Sequence, residues 1–213
     1  MDLNQKIRSY ASQPLTHQLV LSLLKDYKRP NDKVHELLTK GILQSIKKGL
    51  YIAGPSLMMS NRPEPFLLAN HILGPSYVSL DTALSYHGLI PERVYEIASM
   101  TIKASRTFTT PVGTFTYRKV SLPYYSFGIH QARLSANQYA MVASPEKALF
   151  DKIITTPGVV LRSQKNVLDY LLDNLRMDEE PLKGLNTKSM IDWLPDAPKK
   201  ESLLQVIKTI QQL

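Results

Sequence analysis

The chain has 213 residues, 43% apolar and 21% charged, with no cysteine, which is the profile of a globular protein and excludes disulfides, thiol catalysis and Cys-ligated zinc. No segment approaches the roughly 18 unbroken apolar residues of a membrane helix, and the opening MDLNQKIRSYAS is polar where a signal peptide needs an apolar stretch, so a cytoplasmic protein without membrane association is expected. The formal charge is +8 and the pI about 9.5, an excess that attracts polyanions but is also common on proteins that bind nothing.

In chain order, Leu3, Ile7 and Tyr10 have the i, i+4, i+7 spacing of a short helix that Pro14 ends. Thr16 is placed to cap a second helix running to Tyr27, with Leu19, Val20, Leu23 and Leu24 on one face. Lys28-Arg29-Pro30-Asn31 reads as a turn, with Asn31 and Asp32 as caps for a third helix from about Asp32 to Lys40. Gly41 suits the stop of that helix. Ile42–Ile46, the turn Lys47-Lys48-Gly49 and Leu50–Ala53 form a hairpin. Three helices followed by a β-hairpin is the order of a winged helix-turn-helix, placed at residues 1–54. Pro55, Pro63 and Pro65 mark residues 55–65 as a linker or packed loop.

The rest, 66–213, reads as a mixed α+β domain, so the fold class expected is α+β. Phe66–Leu73 is helical, Tyr77-Val78 a short strand, and Ser79 caps a helix that Gly88 and Leu89 close. From Val94 to Val120 the pattern is β, turning at Pro111-Val112-Gly113, and Tyr139–Ala143 is a further strand. Ser144-Pro145-Glu146 opens a helix with a cap, a proline at its first position and an early carboxylate. A helical tail from about 160 divides into three at Pro181, Gly184 and Pro195.

Residues 1–54 hold nine Lys/Arg against four Asp/Glu, so most of the positive excess lies in the first quarter of the chain. On the third helix Val34, Leu37 and Leu38 must face inward, which turns Asp32, Lys33, His35, Glu36, Thr39 and Lys40 to solvent. Short polar groups that can reach base edges, flanked by cations for phosphates, are what a DNA-reading helix presents. A plainly solvated face with a Glu36–Lys40 pair would look the same. Lys28 and Arg29 before the helix, and Lys47 and Lys48 on the hairpin, set cations on both sides of it. The expected DNA-contact surface is Lys28, Arg29, Lys33, His35, Thr39, Lys40, Lys47 and Lys48.

Catalytic patterns are missing. His35-Glu36-Leu37-Leu38-Thr39 has threonine where a zincin needs its second histidine, and neither phosphate-cradling loop motif occurs. Gly74-Pro75-Ser76 is not followed by the carboxylate pair a nucleotidyltransferase needs for magnesium. Glu146, Lys147 and Asp151 form a charged cluster near one helix end, for which a capped structural helix is the favoured reading. No catalytic residue, metal site or cofactor is expected, and the chain is read as a non-enzyme.

Four stretches, in this order, resemble the AbiEi antitoxins of bacterial abortive-infection systems: Gly41–Tyr51 ending KKGLY, SYVSLDTALSYHGLI at 76–90, TFTTPVGTFTYRKV at 107–120, and ASPEKALFDKI at 143–153. They are spread over about half the chain, and residues after about 160 match nothing in that family. Relatives often carry arginine where Lys48 stands, so charge is kept while the guanidinium fork is lost. The resemblance implies an autorepressor that binds inverted repeats in double-stranded operator DNA, with a C-terminal domain required for antitoxicity. It also implies a type IV toxin–antitoxin pairing with a nucleotidyltransferase toxin that the antitoxin does not stably bind. Two reading heads on one operator would come from a homodimer or from two monomers. The rival expectation is a protein-interaction module that binds a toxin or other partner directly.

Overall fold

The apolar side chains Ile7, Leu15, Val20, Leu24, Val34, Leu37, Leu43, Tyr51 and Leu57 come together as a small N-terminal core. They do so in a computed structural model that describes residues 2–57, 62–92 and 94–213. The elements around this core are α1 (Leu3–Arg8), β1 (Leu15–Thr16), α2 (His17–Leu23), α3 (Pro30–Thr39), β2 (Leu43–Lys47) and β3 (Leu50–Ala53). The strands form an antiparallel sheet in the order β1-β3-β2.

Local chemistry accounts for most of these boundaries. Thr16 caps α2, its hydroxyl accepting the Leu19 N–H at 3.2 Å. α2 ends four residues earlier than its apolar spacing suggests, and Tyr27 lies in the turn beyond it. α3 starts at Pro30, because a proline in the first helical position needs no partner for the N–H it lacks. Asn31 and Asp32 therefore lie inside the first turn and are not caps; Arg29 holds the N-cap position without a side-chain cap bond. Gly41, at φ +65°, makes the left-handed stop in which the Ile42 N–H donates back to the Leu37 carbonyl at 2.9 Å.

The larger unit has a six-stranded mixed sheet in the order β6-β7-β5-β4-β9-β8. Its elements are α4 (Pro65–Ile72), β4 (Ser76–Val78), α5 (Leu80–Tyr86), β5 (Ile97–Thr101), β6 (Arg106–Thr110), β7 (Gly113–Lys119), β8 (Ile129–Ser135), β9 (Gln138–Ala143) and α6 (Pro145–Thr155). β4 lies beside β9 and β5 beside β7 in parallel, while the remaining pairs are antiparallel. β8 has no clear alternation and is found only as the partner of β9. The expected α5 stop is present, with Gly88 at positive φ and Leu89 N–H on the Leu84 carbonyl at 2.8 Å. Ser144 caps α6 through the Lys147 N–H.

The tail divides further than expected, into α7 (Gln164–Leu168), a π-helical turn to Asn174, α8 (Glu179–Lys183), α9 (Thr187–Trp193) and α10 (Lys200–Ile210). Pro181 sits within the first turn of α8, where it is tolerated, and does not divide two helices. Leu203, Val206, Ile207 and Ile210 of α10 bury into the same core as the sheet, so the tail belongs to the larger unit.

The β2–β3 hairpin connects the units. Its Leu43 and Tyr51 belong to the small core, while Ile46, Leu50 and Ile52 are buried in the large one. The part of the expected 55–65 linker at 58–61 lies outside the described residues; Pro55–Leu57 is a 3₁₀ turn whose Leu57 closes the small core. Among the described residues no helix is long and apolar enough to cross a membrane.

Candidate nucleic-acid interface

Helix α3 presents one apolar and one polar face because its apolar residues recur at i, i+3 and i+4. Val34 and Leu37 are buried, Leu38 is half-buried, and Asp32, His35, Thr39 and Lys40 are exposed. Lys28 and Arg29 lie exposed in the turn that leads into it. Six of the expected contact residues are thus on or just before this helix: Lys28, Arg29, Lys33, His35, Thr39 and Lys40.

Their charges are not equally available. Arg29 faces Asp32 at 3.6 Å, with side chains 84% and 69% exposed, a weak solvated pair. Lys33 is only 22% exposed; its ammonium donates to both Glu36 oxygens at 2.9 Å and lies over the Tyr27 ring. Lys40 donates to the same carboxylate at 2.6 Å. Hydrogen bonds from Lys40 and Lys33 hold the Glu36 carboxyl below the usual carboxylate range, and the Glu36 bond raises Lys33 above the ordinary lysine value. The Thr39 hydroxyl donates back to the His35 carbonyl at 3.0 Å, and the His35 side chain is exposed.

The hairpin treats its two lysines differently. Lys48 is exposed in the turn. Lys47, the last residue of β2, is half-buried and its ammonium donates to the Ile72 carbonyl at the end of α4. Burial lowers its pKa, and the nearby Lys103, which binds the Gly74 carbonyl, lowers it further. A cation at a helix C-terminus is a stabilising partner for the last carbonyls. The structure brings Lys48 but not Lys47 to the solvent side of the hairpin.

A second charged cluster lies in the interior of the larger unit. Lys147 and Asp151 are one helical turn apart on α6, both fully buried, with the ammonium 3.3 Å from Oδ1. The Lys147 ammonium also donates to the Tyr124 carbonyl at 2.9 Å and lies over the Tyr124 ring, 3.1 Å from its centroid. The carboxylate accepts hydroxyl protons from Tyr77 at 3.0 Å, Ser79 at 2.7 Å and Tyr124 at 3.0 Å. Burial pushes Lys147 down to about 8 and raises Asp151, Tyr77 and Tyr124.

Ser79 is therefore not the side-chain cap of α5 that its position suggests; its hydroxyl is committed to Asp151. Glu146 stands apart from the cluster and accepts the Asn186 N–H at 2.9 Å. In sequence the i, i+4 spacing of Lys147 and Asp151 was the one available signal, and nothing local indicated that Tyr77, Ser79 and Tyr124 would converge on it. The cluster is closed on itself and holds α6, β4 and the Tyr124 segment together.

Other histidines are engaged locally. His17 Nδ1 and the Tyr51 hydroxyl are 3.2 Å apart, and His87 Nε2 lies 2.8 Å from the Ala143 carbonyl. Among the described residues no group of three or more His, Asp or Glu is arranged to hold a metal ion. Compared with protein-family models and with curated proteins, the chain matches none.

Proposed function

We propose that the chain is a sequence-reading DNA-binding regulator whose N-terminal unit is a winged helix-turn-helix, with α3 as the reading helix and the β2–β3 hairpin as the wing. The observation that carries this reading is the order α1-β1-α2-α3-β2-β3 with sheet order β1-β3-β2, joined to a polar, solvent-facing α3 flanked by exposed cations. A helix of this width fits the major groove, and cations beside it meet the phosphates that fix its register. With the four family-like stretches, this supports an autorepressor acting as the antitoxin of a type IV toxin–antitoxin system in the cytoplasm. Its DNA partner would be an operator with inverted repeats, and its functional partner a nucleotidyltransferase toxin that it does not stably bind.

The test is fluorescence anisotropy of the full chain with its own upstream duplex and with a scrambled duplex, across a salt series. If Lys28, Arg29, Lys33, Lys40 and Lys48 each meet a phosphate, log K falls with log salt at a slope of about −4 to −5 per protomer. Preference for the upstream duplex that survives about 150 mM salt supports the reading. Equal, salt-sensitive binding to both duplexes overturns it. The second reading, a protein-interaction module, draws on the exposed Tyr86, 46% accessible and packed edge-on against Phe66, an aromatic surface suited to a protein partner. Stable co-purification with the neighbouring gene's product, without DNA preference, would support that reading.

A further inference from the structure

On the polar face of α3 a single carboxylate holds two ammonium groups. Glu36 receives Lys33 through both oxygens at 2.9 Å and Lys40 through Oε1 at 2.6 Å. The spacing, i, i+3 on one side and i, i+4 on the other, puts all three groups on one strip of the helix. Lys33 is held a second time by the Tyr27 ring, 5.2 Å from its centroid. In the free protein, then, two of the cations expected to meet phosphates already have an anionic partner fixed on the reading helix itself.

A duplex that draws Lys33 and Lys40 to its phosphates competes with Glu36 for them, since Lys33 gives two of its three N–H groups to the carboxylate and Lys40 gives one. The carboxylate is then left facing base edges, and it can only accept hydrogen bonds. Guanine shows it the acceptors N7 and O6, thymine shows O4, and adenine pairs its N6 donor with the acceptor N7; cytosine offers the N4 amino group with no acceptor beside it in the major groove. Three of the four bases therefore leave the released carboxylate unpaired or opposed by a lone pair, which costs binding energy.

Resting on the DNA-binding reading, we propose that Glu36 is a specificity-determining residue of α3. It withholds Lys33 and Lys40 from arbitrary phosphates and releases them at a site where its carboxylate accepts the N4 amino group of a cytosine. Weak binding to random sequence and selection of one C·G pair are two results of the same geometry.

The test uses the full chain in the anisotropy assay, with the upstream duplex, a set of its single base-pair variants and the scrambled duplex. Glu36→Gln keeps the length and helix preference of the side chain while removing the charge. Its expected effect is binding to the scrambled duplex about tenfold tighter at about 150 mM salt, with a salt slope steeper by up to about two as two cations are freed. Discrimination at one C·G position is lost or shifts toward A·T, since glutamine matches the donor–acceptor edge of adenine.

In a Lys33→Gln/Lys40→Gln background the same change should give only the small gain of losing one negative charge, well short of about tenfold and with the slope steepened by less than about one, because there are no lysines left to release. A gain of undiminished size in that background would reduce Glu36 to one negative charge among others and overturn the inference. So would an unchanged ratio of upstream to scrambled affinity in Glu36→Gln when the wild type does prefer its upstream duplex. A wild type with no such preference overturns the DNA reading itself, and this inference with it.

Discussion

The Lys47 ammonium is spent on the Ile72 carbonyl while Lys48, one residue on, reaches solvent, so the two lysines should differ in a salt series. Lys48→Ala is expected to flatten the slope of log K against log salt by about one unit, and Lys47→Met to leave it unchanged. Equal effects from the two substitutions would mean that Lys47 leaves α4 to bind DNA. The buried cluster gives a second prediction at this scale. Lys147→Met strands Asp151 in the core and should cost about 3–5 kcal/mol in urea unfolding. Lys147 sits at about 8 in the folded chain against 10.5 for an ordinary lysine, so between these values the unfolded chain binds a proton the native one has shed. Stability attributable to Lys147 therefore rises with pH from about 8, by up to about 1.4 kcal/mol per unit. Above the ordinary tyrosine value of 10.0 the tyrosines oppose this rise in total stability, because they ionise in the unfolded chain before the buried Tyr77 and Tyr124 do, but that contribution is common to wild type and variant and cancels in their difference. Urea unfolding of the wild type and Lys147→Met from pH 7 to 10.5 checks this; a constant difference between them would be the contrary result.

Among the elements, the β2–β3 hairpin carries most of the architecture, since its residues enter both cores. It is closed at its base by Gly54, whose N–H donates to the Ile42 carbonyl at 2.8 Å. A Cβ at Gly54 would stand 2.2 Å from the Gly41 carbonyl oxygen, so Gly54→Ala must push two backbone segments apart. A loss of about 1–3 kcal/mol is expected, read as a lower urea midpoint, whereas an unchanged midpoint would show that the hairpin base yields freely. The hairpin itself was legible from its strand-turn-strand pattern, as were the Thr16 and Ser144 caps and the Gly41 and Gly88 stops, because each depends on neighbours a few residues away. β1 was not, since two residues carry no periodicity and Leu15-Thr16 is a strand only by pairing with Tyr51 and Leu50. β8 escaped for a related reason: in IHQARLS only Ala132 is fully buried, leaving no alternation to read.

For the whole molecule, sharing Ile46, Leu50 and Ile52 with the large core makes the small unit depend on the large one. Leu15, Val20 and the other members of the small core are few for an independent fold. A single cooperative transition is therefore expected: urea curves followed by the fluorescence of Trp193, the sole tryptophan of the chain and part of the larger unit, should coincide with far-ultraviolet circular dichroism. Two separated midpoints would show that the units unfold independently. The same coupling fixes the geometry of the proposed reading head, because a hairpin buried on one face cannot swing freely on a linker.

By itself the sequence determined the α+β class, the Thr16 and Ser144 caps, the Gly41 and Gly88 stops, the β2–β3 hairpin and the polar face of α3. These follow from hydrophobic period and from backbone preferences that act within a turn or two. Only the tertiary structure decided that Lys47 serves α4, that Lys33 lies over the Tyr27 ring, and that Lys147 and Asp151 lie in the interior with Tyr77, Ser79 and Tyr124. Whether a charge faces water, a carbonyl or another charge depends on which distant segment covers it, and residues tens of positions apart leave no mark on the local pattern of the chain.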